Sequence, residues 1–163
     1  MKTKSPTKII KQIVSEAFEA YLEAREKEEI PRIVDFKGSW VDPDEKHIED
    51  QLKLASCLFD ITYEDLLSKL KAAKAIKLTN ELWAKLENTL SYHVKTVEEA
   101  QKIADEYGYH YNDAMFGYMN SREATLPVIV YKEGQNPYVV SGEPELLFAS
   151  AFKIEPKVLI INL

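Results

Sequence analysis

Cysteine and arginine are scarce in this chain. Of its 163 residues one is cysteine, Cys57, and the arginines are Arg25, Arg32 and Arg122. A lone cysteine leaves no intrachain disulfide and points to a reducing compartment. With so little arginine, phosphate recognition would fall to lysine, a point charge without the bidentate guanidinium fork. Acidic residues outnumber basic ones, 27 against 21, for a net charge of −6. That balance disfavours nucleic acid and anionic membranes as partners, because phosphate contacts need clustered Lys and Arg. His47, His93 and His110 are scattered, with no His-x-x-x-His pair, so no metal site is expected from them. No apolar run approaches a membrane span, and "MKTKSPTKII" has no apolar stretch of signal-peptide length. The expectation is a cytoplasmic protein, of a cell or of a virus inside one, with no membrane partner. A P-loop, a G-x-G-x-x-G turn and a G-x-S-x-G elbow are all missing.

What is there reads as a single domain over 1–163, helix-rich from 1 to 120 and sheet-forming from 126 to 163. In residues 5–29, Ser5 can cap and Pro6 can open a helix whose Ile10, Val14, Phe18 and Tyr21 share one face. "IPRIVDF" alternates and predicts a short strand. A helix is then expected from Asp42, with Pro43 first and Glu45 at the capping-box position. Its buried stripe is Ile48, Leu52, Ala55 and Phe59, with Cys57 beside it as a buried, inert thiol. Thr62 and Thr79 are N-caps of two further helices, the first running on through "KAAKAI". Thr96 with Glu99 is a T-x-x-E capping box closed by Gly108. "YNDAMFGYMN" predicts one more short helix.

The pattern changes at Leu126. "LPVIVYK" and "YVVS" flank the turn "EGQNP" as a hairpin, "PELLFASAF" is a helix, and "PKVLIINL" is a final strand whose continuous apolar run suits cover on both faces. The helices of 43–120 are expected on one face of this sheet.

Between the second strand and that helix lies "SGEPE". A glycine there usually lets backbone N–H groups approach an anion. Here two carboxylates and a proline follow it. The hairpin, "VVSG", the small-residue helix and "I-x-P-K-V-L-I-I" resemble the end of a ParB/sulfiredoxin-like domain, above all the small phage versions. "TVEEAQKIADEYG" and "MFGYMN" are similar to their helical part, so the likeness covers about 90–163. The resemblance implies an α+β fold, with the helical N-terminal and middle region packed on a small ParB/sulfiredoxin-like mixed sheet. It also implies a ligand turn that reads G-E-R-R, G-C-H-R or G-N-T-R in the family and holds phosphate or nucleotide, or carries a catalytic cysteine in sulfiredoxins. Gly142 keeps the glycine, Glu143 matches the Glu of the first form, Pro144 replaces the third residue and Glu145 replaces the final Arg.

Exchanging Arg for Glu changes the local charge by two units. A like charge ~4 Å from a phosphate oxygen costs on the order of 4 kcal/mol at an effective dielectric of ~20. The helix N-terminus returns only ~0.3–1 kcal/mol, and Pro144 removes one N–H donor. With these residues in the turn, the resemblance implies a phage- or prophage-type accessory protein with a degenerate ligand turn. It would act by binding a protein, such as a host factor, with no cofactor. Candidate ligand-binding residues are Ser141, Gly142 and Glu143. Tyr109, Tyr111 and Tyr118, in an aromatic stretch, are either packed between helix and sheet or form a protein-contact surface. The alternative is a nucleotide-dependent phosphotransferase or nuclease-like enzyme using Glu143, with Glu145 beside it as a second catalytic candidate. Only that alternative would take a nucleotide or a divalent metal, the latter if Asp35, Asp42, Asp44 and Glu45 fold near Glu143. A second alternative is nucleic-acid binding through Lys69, Lys71, Lys74 and Lys77.

Overall fold

The computed structural model describes residues 34, 36–108, 112–120 and 122–163. All of them belong to one compact unit, residues 31–163. The helix expected over 5–29 lies outside the described residues. The order is β1 (Ser39–Val41), α1 (Glu49–Leu58), α2 (Tyr63–Ala72), β2 (Ala75–Lys77), α3 (Asn80–Lys85), α4 (Val97–Tyr107), α5 (Asn112–Met119), β3 (Glu123–Thr125), β4 (Val128–Tyr131), β5 (Tyr138–Ser141), α6 (Glu143–Ala151) and β6 (Lys157–Asn162). The architecture is α+β with a mixed sheet.

The main sheet has strand order β2-β6-β4-β5, and β1 and β3 form a separate parallel pair. The β4–β5 hairpin is antiparallel, β6 returns parallel to β4, and β2 closes the far edge antiparallel to β6. Strand geometry sends alternate side chains to opposite faces. On one face Val128, Val130, Val140, Leu159 and Ile161 join Ile48, Leu52, Ala55, Leu66 and Leu70 of the α1 and α2 region in one apolar cluster. Ile129, on the other face, is equally buried. The central strands are thus covered on both sides, and each such Leu or Ile contributes roughly 1.5–3 kcal/mol through burial.

The helices of the middle region do not share one face. α4 and α5 pack on α6. Consecutive residues Leu146–Ser150 are buried, because a helix apolar all round has to be enclosed all round. Thr62, Thr79 and Thr96 cap α2, α3 and α4 through their hydroxyl oxygens, and Gly108 ends α4 in the left-handed conformation. Glu99 completes the box one residue early, accepting from the Lys95 N–H rather than from Thr96.

Three local expectations are corrected. The helix expected from Asp42 starts at Glu49, with Ile48 as an N-cap that makes no side-chain bond. Asp44 instead organises a turn, accepting from Lys46 N–H on its carboxylate and from His47 N–H on its carbonyl. Glu45 faces Lys71 in an exposed ion pair. Of "IPRIVDF", Val34 and Phe36 are described, and Val34 bridges Ile154; the rest of the strand expected there lies outside the described residues. Cys57 is exposed. It sits two residues past buried Ala55, about 200° round the helix at 3.6 residues per turn. Finally, α2 does not run on through "KAAKAI" but ends within it, at Ala72. Ala73 turns extended, and β2 pairs with β6.

Candidate functional site

The β5–α6 turn is shaped by its glycine. Pairing of Val128 with Ser141 sets Pro127 beside Gly142. Gly142 has φ +96°, and a Cβ there would stand 2.6 Å from Pro127 Cα and Cβ. Both the left-handed backbone and the close approach demand glycine. Gly142 is the N-cap of α6, so Glu143 is the first helical residue and Pro144 the second.

Glu143 turns to the loop between α3 and α4. Thr89 Oγ1 donates to its carboxylate, 2.8 Å from Oε1 and 2.7 Å from Oε2, and Leu90 N–H donates to Oε1 at 3.0 Å. Behind Thr89 lies Ser91, hydroxyl to hydroxyl at 2.5 Å, and buried Trp83 donates its indole N–H to Ser91 Oγ at 2.7 Å. An indole can only donate. With Glu143 ionised, the hydroxyl protons line up from Ser91 to Thr89 to the carboxylate. Burial raises the Glu143 carboxyl to about 7, against the opposing pull of the Thr89 and Leu90 bonds. Desolvation therefore outweighs two donors.

The same loop is fastened elsewhere. The Asn88 side chain donates to Val139 O and accepts from Val139 N–H, both at 2.8 Å, and so caps the open edge of β5 as a strand would. Asn136 Nδ2 donates to Glu87 at 2.6 Å. Ser150 Oγ, near the far end of α6, donates to Val94 O at 2.7 Å.

A cleft of about 690 Å³ opens at the turn. Asp42, Asp44, Glu143 and Glu145 line it together with His47, and Ile48, Leu126 and Val140 supply apolar wall; among the described residues its lining holds no Lys or Arg. The structure therefore brings Ser141, Gly142, Glu143 and Glu145 to one cavity and adds Asp42 and Asp44 from the turn before α1. Among the described residues no three His, Cys, Asp or Glu are grouped to hold a metal ion.

Tyr118 is elsewhere. It is buried, its ring 5.4 Å from that of Phe36 and 5.9 Å from that of Trp40. It therefore offers no surface to a partner, which corrects the contact reading for this residue. Burial, then the charge of Glu145, pushes its hydroxyl well above the ordinary tyrosine range. Tyr109 and Tyr111 lie outside the described residues. Of the four lysines proposed as a basic patch, Lys71 pairs with Glu45 and Lys77 with Glu155. No helix among the described residues is long and apolar enough to cross a membrane.

Sequence reasoning missed Asn88, Thr89 and Ser91. The polar run "ENTLS" signals a loop, but its partners Val139 and Glu143 lie about fifty positions away, where no local periodicity reaches. Comparisons with family models, with curated proteins and with solved structures found no match.

Proposed function

We propose that this protein acts by binding another protein, and that the acidic cleft at the β5–α6 turn receives a cationic side chain of that partner. In this reading it is an accessory protein of the phage or prophage kind, keeping a ParB/sulfiredoxin-like sheet while its anion-holding turn has lost that role. One observation carries the reading: among the described residues the cleft is lined by four acidic residues and by no Lys or Arg. A phosphate would meet like charge there, whereas a lysine or arginine stem could lie along the apolar wall with its head at the carboxylates.

Calorimetry tests it with two ligands. ATP or CTP with magnesium gives no binding heat. A short Lys/Arg-rich peptide binds in a salt-sensitive way, and the Asp42→Asn, Asp44→Asn, Glu145→Gln triple variant loses that binding. Tight nucleotide binding would sink the proposal.

A second reading has an observation of its own. A carboxyl that titrates at about 7 beside an open cleft suits general acid–base work. In that reading Glu143 is the base of a metal- or nucleotide-dependent enzyme, and Glu143→Gln abolishes turnover while leaving the fold intact.

A further inference from the structure

The segment from Glu87 to Val94 touches both ends of α6 and the edge of β5, and its attachments differ in kind. Ser150 to Val94 and Asn88 to Val139 join neutral groups. Thr89 and Leu90 to Glu143 join neutral donors to a titratable acid. Asn88 and Glu143 are also walls of the cleft, so any movement of this segment reshapes it.

We propose that residues 87–94 form a proton-operated strap, held shut on the start of α6 when Glu143 is protonated and released more readily when Glu143 is ionised. The proposal is independent of what the cleft binds. The hydroxyls of Thr89 and Ser91 can rotate to serve either form. In the neutral acid Oε1 keeps the Leu90 N–H, while an Oε2 proton faces Thr89 Oγ1 and the Thr89 proton turns to Ser91. The geometry thus accommodates both states, and the difference between them is hydration. A carboxylate half-buried under the strap regains water when the strap lifts, and a neutral acid has much less to regain.

The charged and titratable neighbours do not supply another switch. Across the cleft stand Asp42, Asp44 and His47, on α6 stands Glu145, and on the strap stands Glu87. Among the described residues none of these contributes to the shift of Glu143, which arises from burial against the pull of Thr89 and Leu90. The sign follows. The shut state holds the proton up to about pH 7 and an opened, hydrated carboxyl only to about 4.5, so opening becomes easier as pH rises between those values and levels off above them.

Amide hydrogen exchange on the full chain tests the strap at Leu90 N–H and Val139 N–H, which bond to Glu143 and Asn88. After correction for the intrinsic exchange rate, the opening constant at both amides rises roughly 40-fold from about pH 5 to about pH 7. In Glu143→Gln that rise disappears. In Thr89→Val, which removes a bond that lowers the titration, the rise continues to higher pH. A corrected opening constant that does not change with pH in the wild-type protein overturns the proposal. So does a change confined to Leu90, which would mean a local contact rather than a strap.

Discussion

The two ends of α6 are fastened to the same neighbouring segment, yet by different chemistry. At the C-terminal end Ser150, fully buried, donates to a backbone carbonyl. Both groups are neutral, so the bond is indifferent to pH and salt. At the N-terminal end a half-buried carboxylate takes its place, with the cleft beside it. Burying a neutral pair costs little once it is bonded, but burying a charge costs more than two donors return here. One end of the helix is therefore a fixed joint. The other stores a dependence on protonation, and it is also the end that faces solvent and any partner.

Breaking the fixed side of this comparison should have the largest effect. Phe148→Ala, in the enclosed run of α6, is expected to destabilise by about 4 kcal/mol in urea denaturation, from lost transfer energy and a cavity. Gly142→Ala should cost about 3 kcal/mol, since the new Cβ meets Pro127 and the backbone is left-handed. The protonation-dependent end is read by pH. The folded-state value for Glu143 is raised from 4.5 to about 7. Its contribution is fully present below the unfolded value and is lost as pH rises through the folded one, so stability should fall by up to about 3 kcal/mol across that window. Glu143→Gln should flatten the decline and be the more stable protein at pH 8. Asn88→Ala exposes the unpaired edge of β5 at Val139 and should cost about 2 kcal/mol by the same denaturation assay. Cys57→Ser, at an exposed position, should change stability by less than about 0.5 kcal/mol, while Cys57 of the folded protein reacts promptly with a thiol reagent.

The same contrast governs what could be read from the sequence. The hairpin, α6 and β6 were legible because β-branched runs, a glycine turn and a small-residue helix are local signals. The threonine caps of α2, α3 and α4 were legible for that reason too. β1, β2 and β3 were not, being three residues each and fixed by partners far along the chain. The Asp42–Pro43 pair looks like a helix start, but Asp44 closes its own turn and β3 holds the preceding residues extended, so the tertiary pairing overrode the local cap. Of the site, Gly142, Glu143 and Glu145 were found because the turn breaks a pattern. The acidity of the cavity needed Asp42 and Asp44 to come from a hundred positions upstream. The raised titration of Glu143 was invisible, because it comes from burial of the carboxyl in the folded chain, against the pull of Thr89 and Leu90, and nothing in "ENTLS" names that target.

The turn at Gly142 holds a wired, desolvated carboxylate. A pH titration of the Glu143 side-chain carboxyl by carbon-13 NMR reads it directly. The midpoint should fall at about 7, and it should rise further in Thr89→Val. A midpoint near the ordinary 4.5 would mean that the carboxylate is hydrated and that the cover over it does not exist.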